Sequence, residues 1–325
     1  MGKCNTVKKI VNCQLLSFSA KLEIMTHAQM HPRPDEYLRI CYNGPAMDAV
    51  LLLNKPAGMT SFAAVRKCRS LLQEKKAGHT GTLDPNATGL MIVLLGRYTK
   101  LAPYCISNHK HYIASFSFGK ETDTQDIWGN VLQEDIPQPV SDAQLQSACL
   151  PFLGDILQVP PMYSAIKING QKLVDLARKG REVERKARPV HISSLAVTKK
   201  GDNLYQMDAV VSSGTYIRTL IQDYCHALGQ IGTMTSLQRI SIENVNLSQA
   251  ADFDCLEKSI VSPGMVIDPM WLQVDGNPYE KEIRCGKPLA LDVPSSTIVL
   301  CSHDDVLAAY EKKEDGLYHC QRGLF

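Results

Sequence analysis

Apolar and polar positions follow two different spacings along this chain, which predict strands in some segments and helices in others. The short apolar run Ala49–Leu53 has the length and flanks of a buried strand. Thr60 or Ser61 can cap a helix after it. The apolar face predicted for this helix consists of Phe62, Val65, Cys68, Leu71 and Leu72. Residues 111–118 instead alternate apolar and polar positions, as a half-buried strand does.

Helical spacing returns further along the chain, between other strand patterns. It is strongest at 215–228, where the apolar residues keep a helical period and Gly229 supplies the C-cap. The remaining predicted elements are helices at 141–152, 171–179 and 247–258 and strands at 189–198 and 204–212. Because strands and helices do not alternate as βαβ units require, the pattern predicts an α+β fold.

The same pattern divides the chain into three parts. Residues 1–45 show no sustained period and are expected to be a poorly structured N-terminal extension. Residues 46–262 contain the segments with helical spacing and form the predicted α+β domain. A Ser-Pro-Gly break at 262–264 marks the start of a small β-rich domain, expected at 263–325.

Composition narrows the classes of protein that fit. With 325 residues, 44% hydrophobic and 21% charged, the chain is globular rather than wholly disordered. Its apolar runs are far shorter than the roughly 20 residues of a membrane helix, so no membrane contact is expected. The eleven cysteines include no Cys-x-x-Cys pair, which is typical of reduced thiols in a cytoplasmic protein without a zinc site.

The net charge of +2 conceals basic and acidic blocks. Residues 51–100 carry eight Lys or Arg against two Asp or Glu, and 151–200 carry ten against four. Residues 251–325 carry seven against thirteen. The basic blocks are either a nucleic-acid-binding surface or solvated faces of the fold.

Segment 77–89 is a candidate functional loop, because it is rich in glycine and poor in core residues. Its single carboxylate, Asp84, precedes Pro85, so this dipeptide either only starts a turn or presents a reactive group. One carboxylate without a second acid suits nucleophilic or base chemistry. The chain has no Gly-x-Gly-x-x-Gly and no P-loop motif, and no nucleotide cofactor is therefore expected.

Several blocks of sequence occur in an order that composition alone would not produce. They are LLNKPAGMTS at 52–61, AGHTGTLDPNATG at 77–89, and the segments 111–126, 159–167, 213–220 and 237–239. Together they closely resemble the TruB family of tRNA pseudouridine synthases. The resemblance implies a pseudouridine synthase fold, with a mixed antiparallel sheet and flanking helices, in a catalytic domain at 46–262. It also implies an RNA-gripping insertion at about 160–188 and a PUA-like RNA-binding domain at 263–325.

Enzymes of this family break the C1′–N1 bond of a uridine, rotate the base and rejoin it through C5, without a cofactor or a metal. The resemblance implies that Asp84 is the nucleophile and that Arg218 orients it. Tyr112 corresponds to the tyrosine that stacks on the base and is proposed to remove a proton. The implied substrate is uridine-55 in the T stem-loop of tRNA, bound by a monomeric protein.

Further positions match residues that support the family's site or contact its RNA. His79 would fill the space left by a flipped base, and Lys55 and Asp126 would support the site. The other matched positions are Lys167, Lys179 and Arg181 in the insertion and Leu237 after it. Val174 departs from the pattern, because many members have an aromatic residue there.

Two alternatives share these features. The first is an RNA-binding or RNA-folding protein that keeps the scaffold and works without turnover. An intact set of Asp84, Tyr112 and Arg218 disfavours it, since a protein that only binds RNA does not need those groups. The second is a pseudouridine synthase that acts on uridines in a different RNA, which has the same chemistry and differs in its substrate.

Overall fold

The computed structural model describes residues 47–303 and 305–325, so the extension predicted at 1–45 lies outside the described residues. The strands are β1 Ala49–Lys55, β2 Ala77–His79, β3 Thr88–Leu95, β4 Lys110–Phe118, β5 Lys120–Thr122, β6 Val131–Glu134, β7 Gly154–Gln158, β8 Lys167–Ile168, β9 Gln171–Lys172, β10 Arg188–Gly201, β11 Leu204–Val211, β12 Gly232–Ile242, β13 Val245–Asn246, β14 Ile260–Val261, β15 Leu272–Asp275, β16 Thr297–Ser302, β17 Asp305–Lys312 and β18 Tyr318–Gly323. The α-helices are α1 Ser61–Leu71, α2 Asp142–Ser147, α3 Leu173–Ala177, α4 Ile217–Ala227 and α5 Glu280–Arg284. No helix in these ranges is long and apolar enough to cross a membrane.

A ten-stranded sheet forms the larger part of the molecule, in the order β14-β1-β3-β12-β4-β11-β10-β7 with β2 and β13 attached to β3 and β12. All of its pairings are antiparallel except β3 with β12. The two parallel strands approach so closely that a Cβ at Gly89 would overlap the carbonyl oxygen of Arg239. The sheet is therefore mixed and mainly antiparallel, as predicted.

Helices cover both faces of the sheet, because its central strands have apolar residues on both sides. In β3, every residue after Thr88 is buried. Helix α4 packs on the face of β4 that carries Phe116, and α1 packs on the face of β1 that carries Leu51. This packing holds β3, β4 and α4 in fixed positions. The candidate site lies at the ends of these elements.

The C-terminal β15–β18 form a separate four-stranded sheet. A single apolar cluster nevertheless joins it to the larger sheet, since Val299 and Val306 pack with Leu52 and Ile92. Asp305 accepts hydrogen bonds from the Tyr98 hydroxyl at 2.6 Å and from Arg97 Nη2 at 2.6 Å. The small sheet is thus attached through a shared core as well as through polar contacts.

Three sequence-based expectations about helices are wrong. Phe62 is 71% exposed, because the buried face of α1 runs through Ser61, Ala64, Val65 and Cys68, and Phe62 points about 100° away from Ser61. The helix expected at 247–258 is replaced by two short 3₁₀ segments, which are Leu247–Gln249 and Phe253–Ser259.

Strand pairing accounts for the second difference. Between the two 3₁₀ segments, Ala251 pairs with β1, donating its N–H to Leu52 O at 2.9 Å and accepting from Asn54 N at 3.0 Å. This extended pairing interrupts the helical spacing that the sequence shows. The helix expected at 141–152 is also shorter, ending at Ser147 before a 3₁₀ turn that contains Pro151, which lacks the N–H that a longer helix would need.

Candidate active site

The loop at residues 80–87, here called the Asp84 loop, connects β2 to β3 and is fixed on both sides of its carboxylate. Ser61 Oγ donates to Leu83 O at 3.0 Å and accepts from Leu83 N at 2.8 Å. Met59 N donates to Pro85 O at 3.2 Å. Leu83 and Ala87 are buried in the main core, so the loop is anchored by apolar packing as well. Asp84 therefore projects from a rigid turn.

Lys55, at the end of β1, also holds the Asp84 loop in place through hydrogen bonds. Its side chain is fully buried, and Nζ donates to Pro56 O at 2.8 Å, Met59 O at 2.8 Å and Pro85 O at 3.0 Å. An ammonium has three donors, and all are used here. Burial lowers the pKa of Lys55 to about 8, although the Asp84 charge opposes this shift. The geometry suits a supporting group better than a reacting one.

The Asp84 carboxylate forms a bidentate ion pair with Arg218. Arg218 Nε lies 2.8 Å from Asp84 Oδ2, and Nη2 lies 3.3 Å from Oδ1. The guanidinium also donates to Thr124 O at 2.8 Å and to Tyr163 O at 2.9 Å. Arg218 is 4% exposed and the Asp84 side chain is 36% exposed. This arrangement holds the carboxylate in one orientation and leaves part of it open to an incoming group.

The sequence around Arg218 explains how α4 presents this side chain. Helix α4 begins directly after Tyr216, whose N–H donates to Gln158 Oε1 at 2.8 Å. Arg218 is thus in the first helical turn, and Thr219 next to it bonds Gln125 at 2.9 Å. The apolar residues Leu220 and Ile221 anchor the helix to the core. The helix start therefore directs the guanidinium at the Asp84 loop.

Tyr112 lies on β4 and is 8% exposed. It pairs across the sheet with Arg239 of β12, while Leu237 of β12 pairs with the neighbouring Ala114. Tyr112 and Leu237 belong to the same apolar cluster as Leu83 of the Asp84 loop. Tyr112, which was predicted to stack on the base, and Leu237, a predicted supporting residue, thus share the core against which the Asp84 loop packs.

His79 ends β2, opposite Val93 of β3. It is partly buried, and its Nδ1 is buried without a hydrogen-bond partner among the described residues. Burial and the nearby charge of Arg239 lower the pKa of His79, which favours the neutral ring at physiological pH. A neutral aromatic ring at this place can stack on a base, as the resemblance implies.

Asp126 shapes the β5–β6 hairpin rather than contacting Asp84. Its carboxylate accepts from Thr124 Oγ1 at 2.6 Å and from Trp128 N at 3.1 Å. The neighbouring Asp123 accepts from Asn130 N at 2.8 Å. The hairpin shaped in this way supplies the Thr124 carbonyl oxygen that binds Arg218. A supporting position for Asp126 is consistent with these contacts.

The predicted RNA-gripping residues lie apart from the ion pair. Residues 160–188, here called the basic insertion, carry Lys167, Lys179 and Arg181 with exposed side chains. Tyr163 connects the insertion to the site, through its carbonyl oxygen to Arg218 and its hydroxyl to Asp123 at 3.3 Å. The three cations are therefore placed on a solvent-facing segment whose base is attached to the site.

Several residues of this site were not assigned roles from the sequence. They are Ser61, Lys110, Thr124, Tyr163 and Arg239. Ser61 had been considered only as a helix cap, whereas Thr60 caps α1 and Ser61 holds Leu83. Arg239 lies in the 237–239 block, two positions after Leu237 on the same face of β12, and this alternation was the available signal.

Comparisons with known structures define the fold. The fold is that of a pseudouridine synthase. A chain in the crystal structure of a Cbf5–Nop10–Gar1 complex matches with a TM-score of 0.63 over 90% of this chain and 88% of that one, at 18% identity. A chain in an archaeal box H/ACA sRNP Nop10–Cbf5 complex matches with a TM-score of 0.62 over 92% and 93%, at 17% identity.

The sequence comparisons define the family. A family model for the N-terminal domain of TruB family pseudouridylate synthases matches residues 69–217. The tRNA pseudouridine synthase B of Oenococcus oeni is 36% identical over 298 residues, which is 87% of this chain and 98% of that protein. The protein of the same name from Fusobacterium nucleatum is 47% identical over 62% of this chain and 70% of its own length. The chain belongs to the TruB family of pseudouridine synthases, which are isomerases.

Proposed function

We propose that this chain converts uridine to pseudouridine in the T stem-loop of tRNA, at uridine-55, with Asp84 as the nucleophile. Membership of the TruB family and the names of the relatives support tRNA pseudouridylation. The observation that carries the proposal for Asp84 is its bidentate pairing with the buried Arg218, at the end of a rigid loop. A nucleophile needs one fixed orientation and an open side, and this carboxylate has both.

The proposed reaction is an isomerisation, so its atoms balance within the nucleotide. Asp84 attacks the nucleotide covalently, and the C1′–N1 bond breaks while the base stays in the site. The base then rotates, and C5 bonds to C1′ as the bond to Asp84 breaks. The proton on C5 is removed and N1 takes up a proton, so the net change is a proton transfer from C5 to N1. Tyr112, buried beside the loop, is the proposed group for base stacking and proton removal. The reaction requires neither a cofactor nor a metal in this scheme.

The uridine has to leave its stack before Asp84 can reach it. The neutral, partly buried His79 ring is suited to fill the space that the base leaves. Leu237 and Tyr112 provide an apolar surface for the flipped base. The exposed cations of the basic insertion are proposed to grip the RNA backbone, and residues 263–325 are proposed to act as a PUA-like RNA-binding domain. We further propose that the protein is cytoplasmic and works as a monomer.

The alternative of an RNA-binding protein without turnover remains testable. It is disfavoured because the partly exposed Asp84 carboxylate neutralises the buried Arg218, whereas a protein that only binds RNA would gain from leaving that positive charge free for phosphate. A pseudouridine synthase for another RNA would use the same site. These candidates differ in where pseudouridine forms and in whether it forms at all.

Mapping of pseudouridine by carbodiimide treatment and primer extension on an unmodified tRNA transcript tests the proposal. We expect a single new stop, at uridine-55, that requires the protein. A transcript with cytidine at that position is the matched control and should show no stop. Tight binding without any stop would support the non-catalytic alternative. Stops only in other RNAs would support the alternative substrate.

A further inference from the structure

Buried positive charge around the Asp84 loop exceeds the negative charge that the site supplies. The buried cations are Lys55, Lys110, Arg218 and Arg239. Among the described residues, the ion pair formed by this set is that between Arg218 and Asp84. Uncompensated charges are costly to bury, so three such cations beside a reaction site need an explanation.

Lys110 and Arg239 converge on one point of the loop. Lys110 precedes Tyr112 by two positions on β4, so both side chains leave the same face of the sheet, and Arg239 lies opposite Tyr112 on β12. The missing side chain of Gly81 leaves space between them. A Cβ there would lie 3.4 Å from Arg239 Nη1 and 4.0 Å from Lys110 Cε. The two cations thus border the same glycine, three residues before Asp84.

The hydrogen bonds of these two cations differ from those of Lys55. Arg239 Nε donates to Leu90 O at 2.7 Å, and Nη2 donates to Gly81 O at 3.3 Å. Lys110 Nζ donates to the Ser213 hydroxyl at 3.2 Å. No carboxylate of the described chain forms an ion pair with either cation. Lys55 bonds three carbonyl oxygens, whereas Lys110 keeps donors for a further ligand.

The electrostatic surroundings of Lys110 favour an anion. Burial and the nearby charge of Arg239 together lower the pKa of Lys110 to about 8, while Glu243 acts in the opposite direction without forming an ion pair. Arg239 also lowers the pKa of His79 on the other side of the loop. An incoming anion would interact favourably with this field and would raise the pKa of Lys110 towards its usual value.

The edge of this cluster is accessible to a polyanion. Lys110 is 8% exposed, in contrast to the fully buried Lys55. Its partner Ser213 and the next residue, Gly214, are both exposed. An RNA phosphate could therefore approach Lys110 and Ser213 from solvent while Arg239 supplies positive potential from beneath.

We propose that Lys110, Ser213 and Arg239 form a phosphate-binding subsite that receives one backbone phosphate of the RNA next to the flipped nucleotide. Lys110 and Ser213 contact the phosphate oxygens, and Arg239 acts through its charge. The subsite would draw the sugar–phosphate backbone against the Gly81 gap and so bring C1′ of the nucleotide towards Asp84. This inference rests on the proposed function, because it takes RNA as the ligand.

A scan with neutral phosphates tests the subsite. A series of T stem-loop RNAs carries one methylphosphonate each, at successive positions around the target uridine, and dissociation constants are measured for every RNA. With the unaltered protein we expect one position to weaken binding by at least about tenfold, as the loss of a charged hydrogen bond would. With Lys110→Met, the same position should cause no further loss. The matched control is Lys200→Met. Lys200 is exposed and lies near the end of β10 that is farther from the basic insertion, so this variant should keep the position-specific loss.

The outcomes separate the two proposals. If no position shows a selective loss with the unaltered protein, the subsite is overturned whether or not any variant folds. If the selective loss is the same with Lys110→Met, then Lys110 is not its ligand and the assignment is wrong. Binding is measured directly, so failure of the unaltered protein to form pseudouridine would count against the proposed function alone. Lys110→Arg should retain part of the position-specific loss, which a purely structural lysine would not predict.

Discussion

The Asp84 loop and the basic insertion both carry charge, but they hold it in different ways. Arg218 at the loop is 4% exposed and uses its donors on Asp84 and on two carbonyl oxygens. Lys167 and Lys179 in the insertion are exposed to solvent. Buried and fully bonded charge is oriented before the substrate arrives, whereas exposed charge can follow a flexible backbone. We therefore expect the chemical step to depend on the Asp84 loop and RNA affinity to depend on the basic insertion.

Arg218 substitutions should produce the largest loss among the residues around the nucleophile. Arg218→Ala removes the fork that orients Asp84, and we expect kcat to fall by about 10³-fold, as when a preorganised charged contact is lost. Arg218→Lys keeps the charge but cannot form the bidentate pair, so it should recover only part of this loss. Single-turnover rates at saturating tRNA check the result. A rate for Arg218→Ala within threefold of the unaltered protein would mean that the ion pair is structural only.

Tyr112→Phe is expected to have the next largest effect. The ring stays in the apolar cluster of β4, so folding should be unchanged, while loss of the hydroxyl should reduce turnover by about 10²-fold. Circular dichroism and single-turnover kinetics measure the two quantities separately. Normal turnover in a folded variant would limit Tyr112 to a stacking or core role.

Substitutions in the basic insertion should change the affinity for tRNA rather than the reaction rate. Lys167→Ala/Lys179→Ala/Arg181→Ala removes three exposed cations, whereas Arg185 is a poor choice because it already bonds Pro160 O at 3.1 Å. We expect weaker tRNA binding and a salt-dependence slope that falls by about 2, at roughly 0.7 per lost phosphate contact. The rate at saturating tRNA should change little. An unchanged slope together with unchanged affinity would show that the insertion does not grip RNA.

The smallest predicted effect is a gain in stability. Lys110→Met removes a buried ammonium that has no carboxylate partner, so below pH 8 and without RNA the variant should be more stable by about 1 kcal/mol. The unfolded lysine keeps its usual pKa near 10.5 while the folded pKa is about 8, so unfolding takes up a proton between these values. The difference in stability between Lys110→Met and the unaltered protein should therefore shrink as the pH rises from about 8 to 10.5. Urea unfolding of both proteins at several pH values measures the difference, and a variant less stable at every pH would contradict this account.

Parts of the molecule were predictable because local spacing and tertiary packing agree there. Helix α4 falls within 215–228, and the loop predicted at 77–89 is observed at 80–87, because its two ends belong to β2 and β3. The prediction of a helix at 247–258 is wrong because Ala251 pairs with β1. This contact joins residues that are distant in the sequence, so local spacing does not reveal it. Arg239 was overlooked as a site residue because a buried arginine bonded to carbonyl oxygens leaves no composition signal.

The boundary predicted near residue 262 stays a prediction, and the structure changes how it should be tested. Val306 of β17 and Leu324, which follows β18, share an apolar cluster with Leu52 of β1. A chain that ends near Asp268 would expose this cluster to water, so its inactivity would not show where RNA binds. Substitution of exposed residues on the small sheet is the more informative experiment.

The account depends most directly on Asp84. The measurement is pseudouridine formation in a T stem-loop RNA by Asp84→Asn, purified free of unaltered enzyme, together with its affinity for the same RNA. The amide keeps the size of the carboxylate but cannot act as the nucleophile. We predict no detectable pseudouridine and an affinity within several-fold of that of the unaltered protein. Measurable turnover by this variant would contradict the central claim that Asp84 carries the reaction.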